Sequence, residues 1–368
     1  MLRTPQIRLT ADNKPLSDEI MARLISLTIT DNKSGEADEI TLTLDDHDSK
    51  LALPKRGVIL QCYLGFRDMS GDTGLIDMGK YTVDSVEWGG TPETITVKAK
   101  SADMKNSLKQ GRNISYHDKT FGQIASDIAT RNDLELAINS DIANIKISHL
   151  DQTDESDLNL LTRLSWHYGA VMNIKQGKLL IYRPYQNVSV TGQPLSITTI
   201  TRSKGDSFRY SVEDRQSDTD NVQASYTDTK KAKKQTVQTN PNGKKTKALK
   251  GNFKDKQSAE QAVHAEQNRI INTQAKFNIN LATAYPAVTT EGPIQLEGFK
   301  SEIDALKWTV EKATHSYSRS QGLTTQLELV ATLSTRTEKI ANKKRSKQNT
   351  KKRKTKVAQK RAKKQVKK

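Results

Sequence analysis

Gly74-Leu-Ile-Asp-Met-Gly79-Lys80 has the spacing of a phosphate-cradling loop up to its last position, where a Ser or Thr should ligate magnesium. Tyr81 stands there instead, and the residues after it alternate like a strand. A phosphate site needs a helix N-terminus at that point, so no nucleotide site is read. His264-Ala-Glu266 resembles the His-x-Glu of zinc deaminases, but no Pro-Cys-x-x-Cys partner exists. The other histidines, His47, His117, His149, His167 and His315, are scattered, and none pairs at i, i+4. Acids cluster at Asp45, Asp46 and Asp48, and again at Asp151, Asp154, Glu155 and Asp157. Without an EF-hand glycine or a second ligand set they read as solvated turn and helix-start acids. No Gly-x-Ser-x-Gly elbow appears. The expectation is a protein without catalytic residues, metal or cofactor.

The charge distribution is more informative. Formal net charge is +17, yet Lys339 to Lys368 hold sixteen Lys/Arg and no acid, and Lys230 to Lys256 hold ten lysines against Asp255 alone. Setting those two stretches aside leaves the remainder at −8. The body is mildly acidic, and both lysine-rich stretches read as segments with too few apolar groups to fold. A solvated tail is one reading of the last thirty residues; a polybasic arm for an acidic partner is the other. The arm would use Lys343, Lys344, Arg345, Lys347, Lys351, Lys352, Arg353, Lys354, Lys356, Lys360, Arg361, Lys363 and Lys364. No aromatic interleaves them, so binding to DNA would be sequence-blind.

The 368 residues are 34% hydrophobic and 5% aromatic, a composition suited to thin β-rich units that complete their burial against other subunits. Cys62 is alone, which excludes an internal disulfide and a cysteine zinc site. No apolar run is long enough to span a membrane, and the start lacks a signal peptide's apolar core. Synthesis and folding in cytosol are expected.

From Gln6 to Ala99 apolar residues recur every second position, as in Val58, Leu60, Cys62, Leu64 and Phe66. Tyr81 and Val83, then Val86 and Trp88, change phase by one, which predicts a β-bulge. Several short half-buried strands of this kind predict a small barrel or sandwich. The period then becomes helical. Phe121, Ile124, Ala125, Ile128 and Ala129 share one face, and Leu158, Leu161, Leu164 and Tyr168 another, with Gly169 as C-cap and Asp154, Glu155 and Asp157 at its start. Val171 to Arg183 reads as a hairpin turning at Gln176-Gly177. Strands return at Phe208, Tyr210 and Val212, and at Val222, Ala224 and Tyr226. Asn240-Pro-Asn-Gly marks 230–256 as a loop. Ser258 and Gln261 fit a capping box for a helix over 258–271, and strands resume from Phe277 to Ala331.

One internal echo stands out. Lys80-Tyr-Thr-Val-Asp-Ser-Val matches Lys307-Trp-Thr-Val-Glu-Lys-Ala in residue type. Either two amphipathic strands coincide, or the chain carries two related β-barrels with a helical section between them.

Gly79-Lys-Tyr-Thr-Val-Asp-Ser-Val-Glu-Trp88, Thr120-Phe-Gly-Gln-Ile-Ala-Ser-Asp-Ile-Ala129 and Glu155-Ser-Asp-Leu-Asn-Leu-Leu-Thr-Arg-Leu-Ser-Trp-His-Tyr-Gly169, in that order, resemble the late control protein D family of tailed phages. These are the hub proteins of contractile-tail baseplates, related to the N-terminal part of VgrG spike proteins. The likeness covers about residues 1 to 335. It implies a mainly β fold with an α+β insertion: a first barrel over 1–105, a central α+β domain over 106–200, a second barrel over 201–335, and a disordered basic tail over 336–368. It further implies a homotrimer whose six barrels form a pseudo-hexameric ring, joining the sixfold tail tube to a separate trimeric spike protein. Other implied partners are further baseplate proteins, and the tape-measure protein or DNA through the basic tail. The place would be the virion tail baseplate, assembled in the host cytoplasm and needed for genome ejection. A polybasic nucleic-acid-binding protein and a tail-associated cell-wall hydrolase are the competing classes. The acidic body counts against the first, and the missing nucleophile, metal and paired-acid motifs against the second.

Overall fold

The computed structural model describes residues 4–333 apart from 34–36, 69–70, 102–105, 176, 204, 213–218, 220, 229–232, 244 and 254. The basic arm, including Lys343 to Lys364, lies outside them.

The first section runs β1 (Thr4–Ala11), β2 (Lys14–Pro15), α1 (Asp18–Ala22), β3 (Leu24–Asn32), β4 (Glu39–Asp45), β5 (Ile59–Asp68), β6 (Gly71–Gly89) and β7 (Thr94–Ser101). Alternation buries one face, so Leu27, Ile29, Ile40, Leu42, Leu64, Val83, Ile95 and Val97 form a common core. The phase change in β6 is a bulge between Val83 and Ser85, as the sequence predicts.

The middle section holds α2 (Asn106–Lys109), β8 (Gly111–Thr120), α3 (Phe121–Arg131), β9 (Glu135–Ile138), α4 (Ser140–Ala143), β10 (Lys146–Ser156), α5 (Asp157–His167), β11 (Val171–Lys175) and β12 (Lys178–Tyr182). β8 pairs with β10, and β11-β12-β9 form a second small sheet. The residues expected on one face of α3, Phe121, Ile124, Ala125, Ile128 and Ala129, are its buried ones. Thr120 and Gln123 close a reciprocal capping box at its start.

The start of α5 differs from expectation. Ser156 caps it, and Leu160, Leu161 and Leu164 are the buried leucines, with Leu158 only partly covered. Asp157 is not a solvated helix-start acid but is fully buried. A carboxylate one residue into a helix and beside an arginine is held by hydrogen bonds rather than by water.

The third section runs β13 (Thr198–Thr201), β14 (Ser207–Val212), β15 (Asn221–Asp228), β16 (Lys233–Gln238), β17 (Thr246–Phe253), α6 (Lys256–Asn272), β18 (Ala275–Leu281), β19 (Pro293–Glu297), α7 (Ser301–Asp304), β20 (Trp308–Ser318) and β21 (Gly322–Ala331). The stretch 230–256, expected to stay unfolded as a loop, instead supplies β16 and β17. They flank β15 in a three-stranded sheet, with Asn240-Pro-Asn-Gly as the turn between them. Val222, Ala224, Tyr226 and Phe253 pack on Ala259, Ala262, Val263 and Ile270 of α6, while Lys233, Lys234, Lys247 and Lys250 stay exposed. Each large side chain so buried contributes about 1.5–3 kcal/mol, which offsets ordering a lysine-rich strand whose ammonium groups keep their water. α6 begins earlier than the expected Ser258, because Asp255 accepts from the Ser258 N–H at 2.8 Å and is the cap.

Thirteen of the described strands form one sheet. With the two-residue β2 at the outer edge of β1 set aside, the order in its first half is β1-β5-β6-β7-β4-β3, and in its second β13-β19-β20-β21-β18-β14. Taken in chain order these are the same path. The register repeats as well. Val83 faces Ala99 as Val310 faces Leu329, and each pair is followed by the same bulge. Ile40 faces Ala99 as Phe277 faces Leu329, and Ile29 faces Ile40 as Tyr210 faces Phe277. The echo of Lys80 and Lys307 is therefore a structural correspondence. The halves differ at one edge, where β1 is antiparallel to β5 but β13 parallel to β19. They are fused, because β3 also pairs antiparallel with β20.

Candidate functional site

Three sections of chain meet at the C-terminal end of β3, and charged side chains hold them there. Lys175, at the end of β11, forms ion pairs with Asp31 and, at 3.2 Å, with Asp38. Thr290, in the loop before β19, donates its N–H to Asp31 Oδ2 at 2.8 Å. Asn173 donates to the Lys33 carbonyl at 2.9 Å. Lys33 itself reaches Glu291 Oε1 and Glu311 Oε2, both at 2.9 Å, and its ammonium lies 3.4 Å from the centre of the Tyr185 ring. So the first sheet half, the middle hairpin and the second half share one network.

A cavity of about 390 Å³ adjoins it, lined by Asp31, Asp38, Tyr81, Lys175, Tyr182 and His315 among others. Burial pushes the Asp38 carboxyl up to about 6, with Lys175 opposing and Asp31 adding to the shift. Lys33 is raised although burial works against its charge, because Glu291, Tyr185 and Glu311 surround it. Burial lowers His315, whose Nδ1 lies 2.9 Å from Thr325 Oγ1. Two lysines are each shared by two carboxylates here, and the network clamps the three sections together.

The sequence look-alikes lie on separate elements. Gly74 to Lys80 run along β6. His264 and Glu266 lie on α6, where Glu266 is held by Lys247 at 2.6 Å and Arg269 at 3.1 Å. Asp48 takes both guanidinium nitrogens of Arg23 at 2.7 and 2.8 Å, and Asp46 accepts from the Leu51 N–H and the Trp88 indole. Asp157 accepts from Arg131, Asn132 and Gln152. His117 and His149, distant in sequence, face each other across β8 and β10 with Nδ1 atoms 3.1 Å apart. Nothing in their spacing announces this, since only the strand register creates it. Among the described residues no three His, Cys, Asp or Glu are grouped to hold a metal, and no helix is long and apolar enough to cross a membrane.

The exposed large apolar side chains include Trp88 on β6 and Phe208, Tyr210 and Val212 on β14.

The comparisons agree with this architecture. A family model described as phage tail baseplate hub (GPD) matches residues 79–321. The probable baseplate hub protein of Escherichia phage P2 is 36% identical over 370 residues, covering 90% of this chain and 94% of that one. The 43 kDa tail protein of prophage MuSo2 from Shewanella oneidensis superposes with a TM-score of 0.61 at 16% identity, covering 89% of this chain and 98% of its own. A chain of the Francisella PdpA–VgrG complex shares the fold at a TM-score of 0.52 and 10% identity, over 90% of this chain and 58% of that one. With a matched region that runs from β6 through the middle section to the end of β20, and a relative this similar along nearly its whole length, the chain belongs to the phage tail baseplate hub family.

Proposed function

We propose that this hub protein works in a contractile tail as a trimeric adaptor between rings of different symmetry. Three copies, each carrying two related β units near 1–105 and 201–335, would form a ring of six similar units. One face would seat the sixfold tail tube and the other a threefold spike protein, with the central 106–200 section turned toward the other baseplate proteins. Assembly in the host cytoplasm and a part in genome ejection follow from that position. The supporting observation is the repetition of one strand order and one register, bulge included, within a single chain. A symmetry adaptor needs this internal repeat, whereas an enzyme or a freestanding DNA binder does not. Mass photometry of the purified chain tests it. A trimer that captures a trimeric spike is expected, and a strict monomer that never joins a spike would overturn the reading.

The arm from Lys343 to Lys364 is proposed to hold the tape-measure protein, with DNA as the second polyanion. Thirteen positive charges without an acid between those residues would give binding that weakens steeply with salt. Pull-down of acidic tape-measure segments and of DNA, with and without residues 336–368, across a salt series, is the check. Equal recovery from both chains would remove the arm's role.

A further inference from the structure

Two of the strand edges that lack a partner among the described residues belong to the large sheet's two halves, and the chain itself contains the template for joining them. β14 is the end of the sheet path and pairs only with β18. β6 pairs with β5 only as far as Thr82, with Val83 still bonded to Val58, so Asp84 to Gly89 have a partner on the β7 side alone. By the register correspondence, β14 is the counterpart of β3, and β6 the counterpart of β20. Within the chain, β3 and β20 are paired antiparallel: Leu27 faces Tyr317, Ile29 faces His315, and Asp31 faces Ala313.

Transferring that register is a matter of substituting counterparts. Phe208 takes the place of Leu27, Tyr210 of Ile29 and Val212 of Asp31. On the other strand Gly90 replaces Tyr317, Trp88 replaces His315 and Val86 replaces Ala313. Leu27, Ile29, Ala313 and His315 are 0–1% exposed because β3 and β20 cover each other, whereas Phe208, Tyr210, Val212 and Trp88 are 41%, 37%, 43% and 55% exposed. Unpaired edges carrying such side chains favour strand addition, and here the two edges complement one another.

We infer that β14 of one copy pairs antiparallel with Ser85–Gly89 of β6 in a second copy, placing Tyr210 opposite Trp88 and Val212 opposite Val86. The contact is head-to-tail, so each copy uses one edge to receive and the other to donate. Aromatic and β-branched cross-strand pairs are the favourable kind for such an edge. The Trp88 indole is held at this edge by donating to Asp46 Oδ2 at 3.1 Å. The inference gives residues to the subunit contact and rests on the ring reading only for the number of copies.

Cysteine cross-linking of the full chain tests the register. One preparation carries Val86→Cys, another Val212→Cys, and the two are mixed under mild oxidation. A disulfide-linked dimer is expected in the mixture and in neither preparation alone, Cys62 being buried. Replacing Val86→Cys by Asp84→Cys moves the thiol two residues out of register, beyond disulfide reach, and the yield should fall about tenfold. Trp88→Arg and Tyr210→Arg should each abolish the oligomer while leaving the circular dichroism spectrum unchanged. A trimer that forms without the Val86–Val212 cross-link overturns this pairing and leaves the ring standing. The cross-link found in oligomers of another size upholds the pairing and overturns the threefold ring.

Discussion

Asp157 receives the Arg131 guanidinium on both carboxylate oxygens, at 3.1 and 3.0 Å, inside the middle section and without solvent exposure. Asn132 and Gln152 donate to the same carboxylate at 3.0 and 2.9 Å. The pair ties the end of α3 to the start of α5. Asp157→Ala should therefore cost about 3–5 kcal/mol, since it removes the buried anion that pairs with the Arg131 guanidinium, while Arg131, Asn132 and Gln152 keep only their bonds to Tyr116, Ile128 and Glu155. Asp157→Asn, which keeps part of the bonding, should cost less, on the order of 1–3 kcal/mol. Urea denaturation followed by tryptophan fluorescence is the measurement. Equal stability of wild type and Asp157→Ala would show that the network carries no net stabilisation.

Asp38 predicts a pH dependence of definite sign. Its native carboxyl is pushed up to about 6, above the ordinary value of about 4. Between those values the native state holds a proton that the unfolded chain has released. Stability from this group is thus complete below about pH 4 and is lost as pH rises through about 6. The loss amounts to about 2–3 kcal/mol, from two pK units at about 1.4 kcal/mol each. Asp38→Asn cannot titrate and should flatten this part of the curve. Urea midpoints of both chains from pH 4 to 7 decide it, and parallel curves would sink the assignment.

Much of this fold is written in local periodicity. The buried face of α3 and the bulge after Val83 are legible because a period of 3.6 and a phase slip in a period of 2 need only neighbours in sequence. The repeat of β6 in β20 is visible too, but its identical register waits for the partner strands. Asp157 and the His117–His149 pair are not legible, since both depend on which strands lie side by side. The lysine-rich strands escape for a related reason. Their apolar partners, Val222, Tyr226 and Val237, are spread over β15 and β16, and α6 supplies the other wall. Alternation at Phe208, Tyr210 and Val212 correctly marks a strand, yet periodicity tells which face is apolar and not what covers it.

The packing of β15, β16 and β17 on α6 makes its own prediction. Phe253, at the end of β17, is buried against this small core and lies 5.0 Å from the ring of His167 on α5. Phe253→Ala should lose about 3–5 kcal/mol in this subunit region. Amides of β15 should then exchange with deuterium at least tenfold faster, while those of β3 and β4 keep their protection. Unchanged exchange in β15 would mean that the lysine-rich strands do not depend on this core.

Gly169 gives the sharpest local test, because two separate constraints meet there. Its φ is +68°, the left-handed conformation that ends α5, and a Cβ added to it would come within 2.7 Å of the Ala265 Cβ on α6. The first constraint alone makes Gly169→Ala unfavourable by about 1 kcal/mol. The second adds the cost of pushing α5 and α6 apart, for which overpacking losses of about 1–3 kcal/mol are typical. Ala265→Gly removes the opposing methyl, so it should restore the packing part in the double variant but not the backbone part, apart from its own helix cost of about 1 kcal/mol. A double-mutant cycle by urea denaturation separates the two, with a coupling of about 1–2 kcal/mol expected for residues in contact. Strict additivity would place the whole effect in the backbone and show that α6 yields to the intruding methyl.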